Sequence, residues 1–397
     1  MHAIYIISII LISSGVTLFL LSFIFEYTRK QNLKKRTIDE YAIIIPARNE
    51  SKVIKNLLDS IKLQNPNMDN VYVIVEDKKD ETVKIVKEYG GNIYVRKNIE
   101  NRRRKGYALD ECLKDILKKK HYDLYFIMDA DNILGKNFIS EMLKTYKKGY
   151  DIATSYRNIK NSSNIISSCS GLTFSFMNTL FNEYNNHMHK SMIISGTGFY
   201  ISGELVEKLN GYPFHSLTED YELTLYAEAN NISSYYNKNA MFYDEQPTKM
   251  KDSIKQRTRW VKGFLEARKT RLKDIKDDYS KLMGIIPYLF IIIGIAILLI
   301  SNFGLSIHYL ITSNNLFFTT FKSCINILLI AYLILAALTF YVILKENNKL
   351  NMTLKYKILS CLYNPIFLST YIYCFIKALV TKNVAWEEIK HEKTQID

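Results

Sequence analysis

The sequence predicts an α/β fold, a mostly parallel Rossmann-type sheet with helices on both faces and transmembrane helices at both ends of the chain. Three observations predict it. Short β-rich runs alternate with helical spacing between residues 41 and 128. Uncharged apolar stretches occupy residues 3–25 and recur beyond residue 281. Charged side chains stand directly behind the β-rich runs, at the strand ends where open α/β sheets bind ligands. No internal repeat or low-complexity linker interrupts the 397 residues.

Residues 3–25 carry no charge and are long enough to cross a hydrocarbon core of about 30 Å. They read as an uncleaved anchor rather than a signal peptide, because a basic n-region and an Ala-x-Ala site are missing and the apolar run is too long. Arg29, Lys30, Lys34, Lys35 and Arg36 follow. Such clusters stay on the cytoplasmic side, which places the next domain inside. Residues 41–45 form a first strand, stopped by Pro46. Residues 51–62 have helical spacing, with Val53, Ile54, Leu57, Leu58 and Ile61 on one side. Strand 71–75, helix 81–89 closed by Gly90-Gly91, strand 92–95, helix 106–118 and strand 124–128 complete the alternation.

Residues 282–300 and 324–344 are two further spans, and Lys345, Lys349, Lys355 and Lys357 mark a return to the cytoplasm. Residues 358–376 are uncharged but broken by Pro365; crossing puts the tail outside, and lying in the interface or re-entering keeps it inside. The expected division is an anchor at 1–28, a cytoplasmic domain at 38–250, a basic interfacial helix at 251–275, a transmembrane region at 281–380 and a tail at 381–397.

The net charge is +14. Its basic clusters flank apolar stretches, which favours anionic lipid as the partner, although a lysine-rich genome gives the same excess. Nucleic acid is excluded as a partner, since the charge is spread along the chain and no binding module appears. Five cysteines form no CxxC and no metal spacing with His. They fit a reducing compartment rather than a disulfide scaffold.

Asp129-Ala130-Asp131 follows the fourth strand. It is either a solvated turn or a pair of hard oxygen ligands for a divalent ion shared with phosphates. Asp77, behind the second strand, either accepts from a base N–H or caps the helix that follows. Arg102, Arg103, Arg104 and Lys105 open the third helix, either as a solvated face or as a phosphate-favouring helix start. Ser195-Gly196-Thr197-Gly198-Phe199 is a simple turn or a close backbone approach to a sugar. Glu219 and Asp220 form an acidic first turn behind Thr218 as cap, or Asp220 is a general base. Gln256, Arg259 and Trp260 share one helical face, where a tryptophan can stack on a sugar or base and an arginine can neutralise a leaving diphosphate.

Taken together and in this order, Pro46-Ala47-Arg48-Asn49-Glu50, Asp77, Lys105-Gly106-Tyr107-Ala108-Leu109, Asp129-Ala130-Asp131, Thr218-Glu219-Asp220 and Gln256-x-x-Arg259-Trp260 resemble the family 2 membrane glycosyltransferases. That group includes cellulose synthase, hyaluronan synthase and poly-N-acetylglucosamine synthase. The resemblance covers roughly residues 40–265 and the flanking spans, and implies a GT-A fold with Mg²⁺ or Mn²⁺ as cofactor. It implies nucleotide-sugar binding by Pro46, Arg48, Glu50, Asp77, Lys105, Asp129 and Asp131, with Asp129 and Asp131 at the metal. Asp220 would be the catalytic base, and Glu219, Gln256, Arg259 and Trp260 would line the acceptor and diphosphate site. The usual Asp-Asp-Gly-Ser stretch is replaced by Glu76-Asp77-Lys78-Lys79-Asp80, which leaves the register open: Glu76 or Asp80 could share the uridine role with Asp77.

The expected activity is inverting, metal-dependent transfer of a hexose or N-acetylhexosamine from a UDP-sugar to a growing β-linked glycan at the cytoplasmic membrane face. The alternative acceptor is a lipid such as a diacylglycerol, ceramide or polyprenyl phosphate. A non-catalytic protein that binds glycan or anionic lipid is the rival from another class. Membrane lipids are expected partners, and an accessory membrane subunit stays open.

Overall fold

Residues 42–45 are apolar without a break, the pattern of a strand covered on both faces. The computed structural model, which describes residues 2–26, 33–100, 102–271, 286–312 and 315–381, places them inside the sheet as β1 (Tyr41–Pro46). Their side chains alternate as strand geometry requires: Ile43 and Ile45 join one apolar cluster, Ala42 and Ile44 the other. α2 (Ile54–Lys62) buries Ile54, Leu57, Leu58 and Ile61 on the first face. β2 (Val71–Val75) and β3 (Asn92–Val95) pair in parallel, separated by α3 (Thr82–Tyr89). Gly90 ends α3 in the left-handed region at φ 83°, where a residue without Cβ is unstrained. α4 (Lys105–Leu117) covers the second face through Leu109 and Leu113, and β4 (Leu124–Ile127) lies parallel to β1.

Beyond β4 the described chain adds β5 (Ile133–Leu134), α5 (Phe138–Lys147), β6 (Ile152–Ile159), α6 (Ile165–Phe176), a π-helical stretch at Met177–Asn182 and α7 (Glu183–His187). β7 (Phe199–Ser202), α8 (Gly203–Lys208), α9 (Glu219–Ala229) and β8 (Ser234–Asp244) follow. The strand order is β3-β2-β1-β4-β7-β6-β8-β5. β7 is antiparallel to both β4 and β6, and β8 is parallel to β6. β1 to β4, β6 and β8 therefore run one way, so the sheet is mostly parallel. This topology positions the site. The carboxyl ends of β4, β6 and β8 share one edge, and the reversed β7 brings the segment before it, Ser195 to Gly198, to that same edge.

α10 (Met250–Thr270) is the basic helix expected at 251–275. It packs on α9 and on the last described helix, α13 (Leu354–Val380). α13 passes unbroken through Pro365, contrary to the break expected there. Proline removes one ladder bond, but α10 supports the helix nearby. The buried Arg257 guanidinium donates to Phe367 O at 3.1 Å and to Thr370 Oγ1 at 2.7 Å. It also lies 4.0 Å from the Phe367 ring centre, so its charge meets a carbonyl, a hydroxyl and a π-face. Lys262 Nζ donates to Ala378 O at 3.1 Å, further along the same seam.

The chain divides into two units, residues 1–30 with 272–340 and residues 31–271 with 341–397. In the first, α1 (His2–Glu26) packs along α11 (Ile286–Ile311). A Cβ at Gly294 would stand 2.7 Å from Ile12 Cγ1, so the missing side chain permits the close crossing. Tyr5 OH donates to Asn302 Oδ1 across the pair. α12 (Leu316–Lys345) follows. Among the described residues three helical segments are long and apolar enough to cross a membrane: Ile293–Ile311, Leu316–Lys345 and Leu354–Val380. Residues 29–30, the start of the span expected from 282, and the tail at 382–397 lie outside the described residues. All five cysteines are free.

Candidate active site

β1 and β2 end side by side, and the segments behind them are tied together. Pro46 closes β1, and Asn49 takes φ 59° in the turn before α2. The Asn49 N–H donates to Asp80 Oδ2 at 2.8 Å and the Glu50 N–H to Thr82 Oγ1 at 3.1 Å. Arg48 Nε lies 3.3 Å from the Glu76 carboxylate, which also draws Arg96 and Arg103 to within 4 Å. Asp77 is exposed and accepts the Lys79 N–H at 2.9 Å. Asp80, not Asp77, receives the Thr82 N–H at the start of α3. Capping thus falls to Asp80, which leaves Asp77 turned to solvent at the β2 edge.

The basic run before α4 separates into individual roles. Arg102 lies over the Tyr107 ring, Arg103 leans toward Glu76, and Arg104 Nη1 donates to His215 O and pairs with Glu266 at 2.6 Å. Only Lys105 enters the cluster around Asp129. Its ammonium donates to Asp129 Oδ1 and to Gly196 O at 2.6 Å, and it lies 3.8 Å from Glu219. Burial works against its charge, yet Asp129 and Glu219 outweigh burial and raise its pKa.

The Asp129-Ala130-Asp131-Asn132 turn is held from beneath. The Asp129 N–H is shared between Thr197 Oγ1 at 2.8 Å and Asn132 Oδ1 at 3.1 Å. Asn132 Nδ2 donates to Asp244 Oδ1 at 2.8 Å and reaches Asp131 Oδ1 at 3.3 Å. Lys160 Nζ donates to Asp131 O at 3.1 Å. The glycine segment lies against the turn in left-handed geometry, with Gly196 at φ 84° and Gly198 at φ 67°. A Cβ on Gly196 would come 3.2 Å from Asp220 Oδ2. Gly196→Ala therefore both strains the backbone, by about 1–3 kcal/mol, and presses on Asp220. Because small displacements at a reacting centre cost on the order of 10²-fold, we expect a ten- to hundredfold fall in kcat with donor KM nearly unchanged. Steady-state kinetics with circular dichroism as the folding control checks this.

Glu219 and Asp220 begin α9, in the first turn where the helix dipole favours negative charge. Thr218 is the capping residue by position only. Its side chain makes no capping bond, and its Oγ1 is buried without a partner, because Gly263 of α10 packs directly onto it. Burial pushes the Glu219 carboxyl up to about 8, with Lys105 pulling the other way. Burial raises Asp220 too, opposed by the first-turn N–H groups, Lys105 and Arg157.

α10 closes the group. Burial lowers the pKa of Arg259, while Glu219, Asp129 and Asp220 pull it back up. Trp260 meets Phe174 edge-on, with ring centres 5.6 Å apart. Gln256 Oε1 is buried without a hydrogen-bond partner. The structure thus brings Lys105, Asp129, Asp131, Glu219, Asp220 and Arg259 to one edge, with Trp260 and Gln256 on the same helix as Arg259. Pro46, Arg48, Glu50 and Asp77 belong to the neighbouring β1–β2 end.

Four residues in the network, Arg157, Lys160, Asp244 and Gln246, carried no sequence signal. They lie within or just behind β6, which is buried along its whole length, and β8, where Asp244 is a single buried charge at the strand end. Among the described residues no three His, Cys, Asp or Glu side chains gather as a full metal site. Two carboxylates at a strand end, Asp129 and Asp131, fit a hard divalent ion whose remaining ligands are phosphate oxygens and water.

Comparison with known proteins agrees with this geometry. "Probable glycosyltransferase YdaM" of Bacillus subtilis is 24% identical over 241 residues, 59% of this chain and 57% of that protein. The "UDP-N-acetylglucosamine--dolichyl-phosphate N-acetylglucosaminyltransferase" of Methanococcus voltae is 50% identical over 46 residues, 12% of this chain and 18% of that one. The chain therefore spans well under two thirds of these relatives. Among solved structures, the mannosyltransferase PcManGT from Pyrobaculum calidifontis, in complex with GDP-Man and Mn²⁺, superposes with a TM-score of 0.58 at 13% identity, covering 96% of this chain and all of that one. Residues 39–263 match "Glycosyltransferase like family 2". With the mostly parallel sheet and the acidic cluster at its carboxyl edge, this match establishes that the chain belongs to the family 2-like glycosyltransferases.

Proposed function

We propose that the protein is an inverting, metal-dependent transferase that moves a hexose or N-acetylhexosamine from a UDP-sugar to a growing β-linked glycan at the cytoplasmic membrane face. One observation carries the reading: Lys105, Asp129, Glu219, Asp220 and Arg259, from four separate stretches of chain, form one electrostatic cluster. Asp220 takes the acceptor hydroxyl proton as that oxygen attacks C1, so no enzyme-bound sugar intermediate is needed. Asp129 and Asp131 hold a Mg²⁺ or Mn²⁺ ion, in line with the Mn²⁺ in the mannosyltransferase complex. The ion, when bound, neutralises charge on the leaving diphosphate. Arg259 and Lys105 add fixed positive charge at the same place, and Asp77 at the β2 end accepts from the base.

A lipid acceptor is the second reading. The Methanococcus relative is named for transfer from UDP-N-acetylglucosamine to dolichyl phosphate, and α10 packs on α13, one of the three segments able to cross a membrane. Purified protein in lipid nanodiscs with Mn²⁺ is expected to release UDP from at least one common UDP-sugar. Mass analysis of the product then separates the readings, since a ladder means processive synthesis and one discrete glycolipid means single transfer. No UDP release with any donor, acceptor and metal combination contradicts both.

A further inference from the structure

Arg157 is a buried cation that joins three separate parts of the site. Its side chain is 9% exposed and pairs with Asp244, 5% exposed, at 2.6 Å. Nη1 donates to Ser195 O at 2.7 Å, at the head of the glycine segment that lies against Asp220. The guanidinium carbon sits 3.6 Å from the Phe174 ring centre, and Phe174 meets Trp260 of α10. Asp244 extends the chain of contacts. Its Oδ2 also accepts from Gln246 Nε2 at 2.7 Å, and its Oδ1 accepts from Asn132 Nδ2 at 2.8 Å, the amide that holds the Asp129–Asp131 turn.

We propose that Arg157 is a positioning residue that fixes three groups relative to one another: the Asp129–Asp131 turn, the glycine segment beside Asp220, and the helix bearing Gln256, Arg259 and Trp260. A buried ion pair is weak evidence for stability alone, since apolar replacements of similar volume are often neutral or better. Here both terminal nitrogens and the flat face of one guanidinium are directed to site segments, while Nε stays buried without a partner. That unsatisfied donor is a cost the fold tolerates. Arginine supplies rigid, directional bonding from one planar group, which lysine does not reproduce.

The inference rests on the transferase reading, and the test separates the two. The full-length wild type, Arg157→Lys and the charge-neutral pair Arg157→Met/Asp244→Asn are compared in four respects: thermal midpoint, kcat, donor KM, and calorimetric Mn²⁺ affinity in the presence of UDP. Supporting partners of metal ligands typically alter affinity or activity about 10–100-fold. The neutral pair is expected to keep a thermal midpoint near wild type, lose about 100-fold in kcat with donor KM little changed, and bind Mn²⁺ at least tenfold more weakly. Arg157→Lys is expected to lose at least tenfold in kcat. Variants that match wild-type kcat and Mn²⁺ affinity overturn the proposal, and so does failure of both to fold, which would make the pair a requirement of the fold itself. A wild type that neither releases UDP nor binds Mn²⁺ with UDP removes the transferase reading, and this inference with it.

Discussion

Replacing Asp220 with Asn is expected to lower kcat about a thousandfold, within the roughly 10²–10⁴-fold range that general-base removal costs. Donor KM should change little, because the amide keeps the shape and loses only the ability to take a proton. Burial sets the pH behaviour. With the Asp220 carboxyl raised above its ordinary value of 3.8, the base is ionised only at higher pH than an exposed aspartate. Activity should therefore fall on acidification through an apparent pKa above that value. Glu219, its buried neighbour, is pushed up to about 8 by burial, with the Asp220 charge adding to the rise, so it is largely protonated below that pH. Glu219→Gln therefore removes no charge in the pH range below that value and is expected to leave the acidic limb of kcat/KM in place. A pH–rate profile of wild type and variant checks this. An acidic limb at or below the ordinary aspartate value of 3.8, or wild-type turnover in Asp220→Asn, would remove Asp220 from the base role.

Asp131→Asn should be nearly as damaging through a different step. Asn132 and Lys160 hold the Asp131 turn from beneath, so the neutral amide can keep the fold while losing one of the two carboxylates of the turn. A bound ion supplies several kcal/mol of charge stabilisation in such transfers, and each ~1.4 kcal/mol is about tenfold in rate. A loss on the order of 10²–10³-fold is expected, together with a rise in the Mn²⁺ concentration giving half-maximal UDP release. Saturating Mn²⁺ should recover part of the rate in Asp131→Asn and none in Asp220→Asn. That contrast distinguishes metal holding from proton transfer.

The first half of the sheet was legible because its elements obey simple periods. Ile54, Leu57, Leu58 and Ile61 mark one helical face, and each of β1, β2 and β4 is an uninterrupted apolar run. The second half was not. All eight residues of β6 are buried although half of them are polar, so neither alternation nor an apolar run identifies the strand. β7 precedes β6 in the sheet although it follows it in the chain, and only that reversal brings Gly196 to Asp220. The acidic and basic motifs were visible as strings because each is contiguous. Arg157 and Asp244 were invisible because each is a single charge within a strand, and its meaning depends on a partner 87 residues away. Thr218 shows the reverse error. It has the local signature of a cap, but α10 packs so closely at Gly263 that its hydroxyl is excluded from that role.

The central claim is that carboxylates far apart in sequence meet in one pocket and grip a cation-bridged diphosphate. The most direct test is a structure of the protein with UDP and Mn²⁺, using anomalous scattering to place the metal. The account predicts the manganese peak between the Asp129–Asp131 carboxylates and the diphosphate, with uracil at the β2 end near Asp77 and the Asp220 carboxylate facing the site of C1. Manganese bound elsewhere, or a diphosphate out of reach of Asp131 and Arg259, would contradict it.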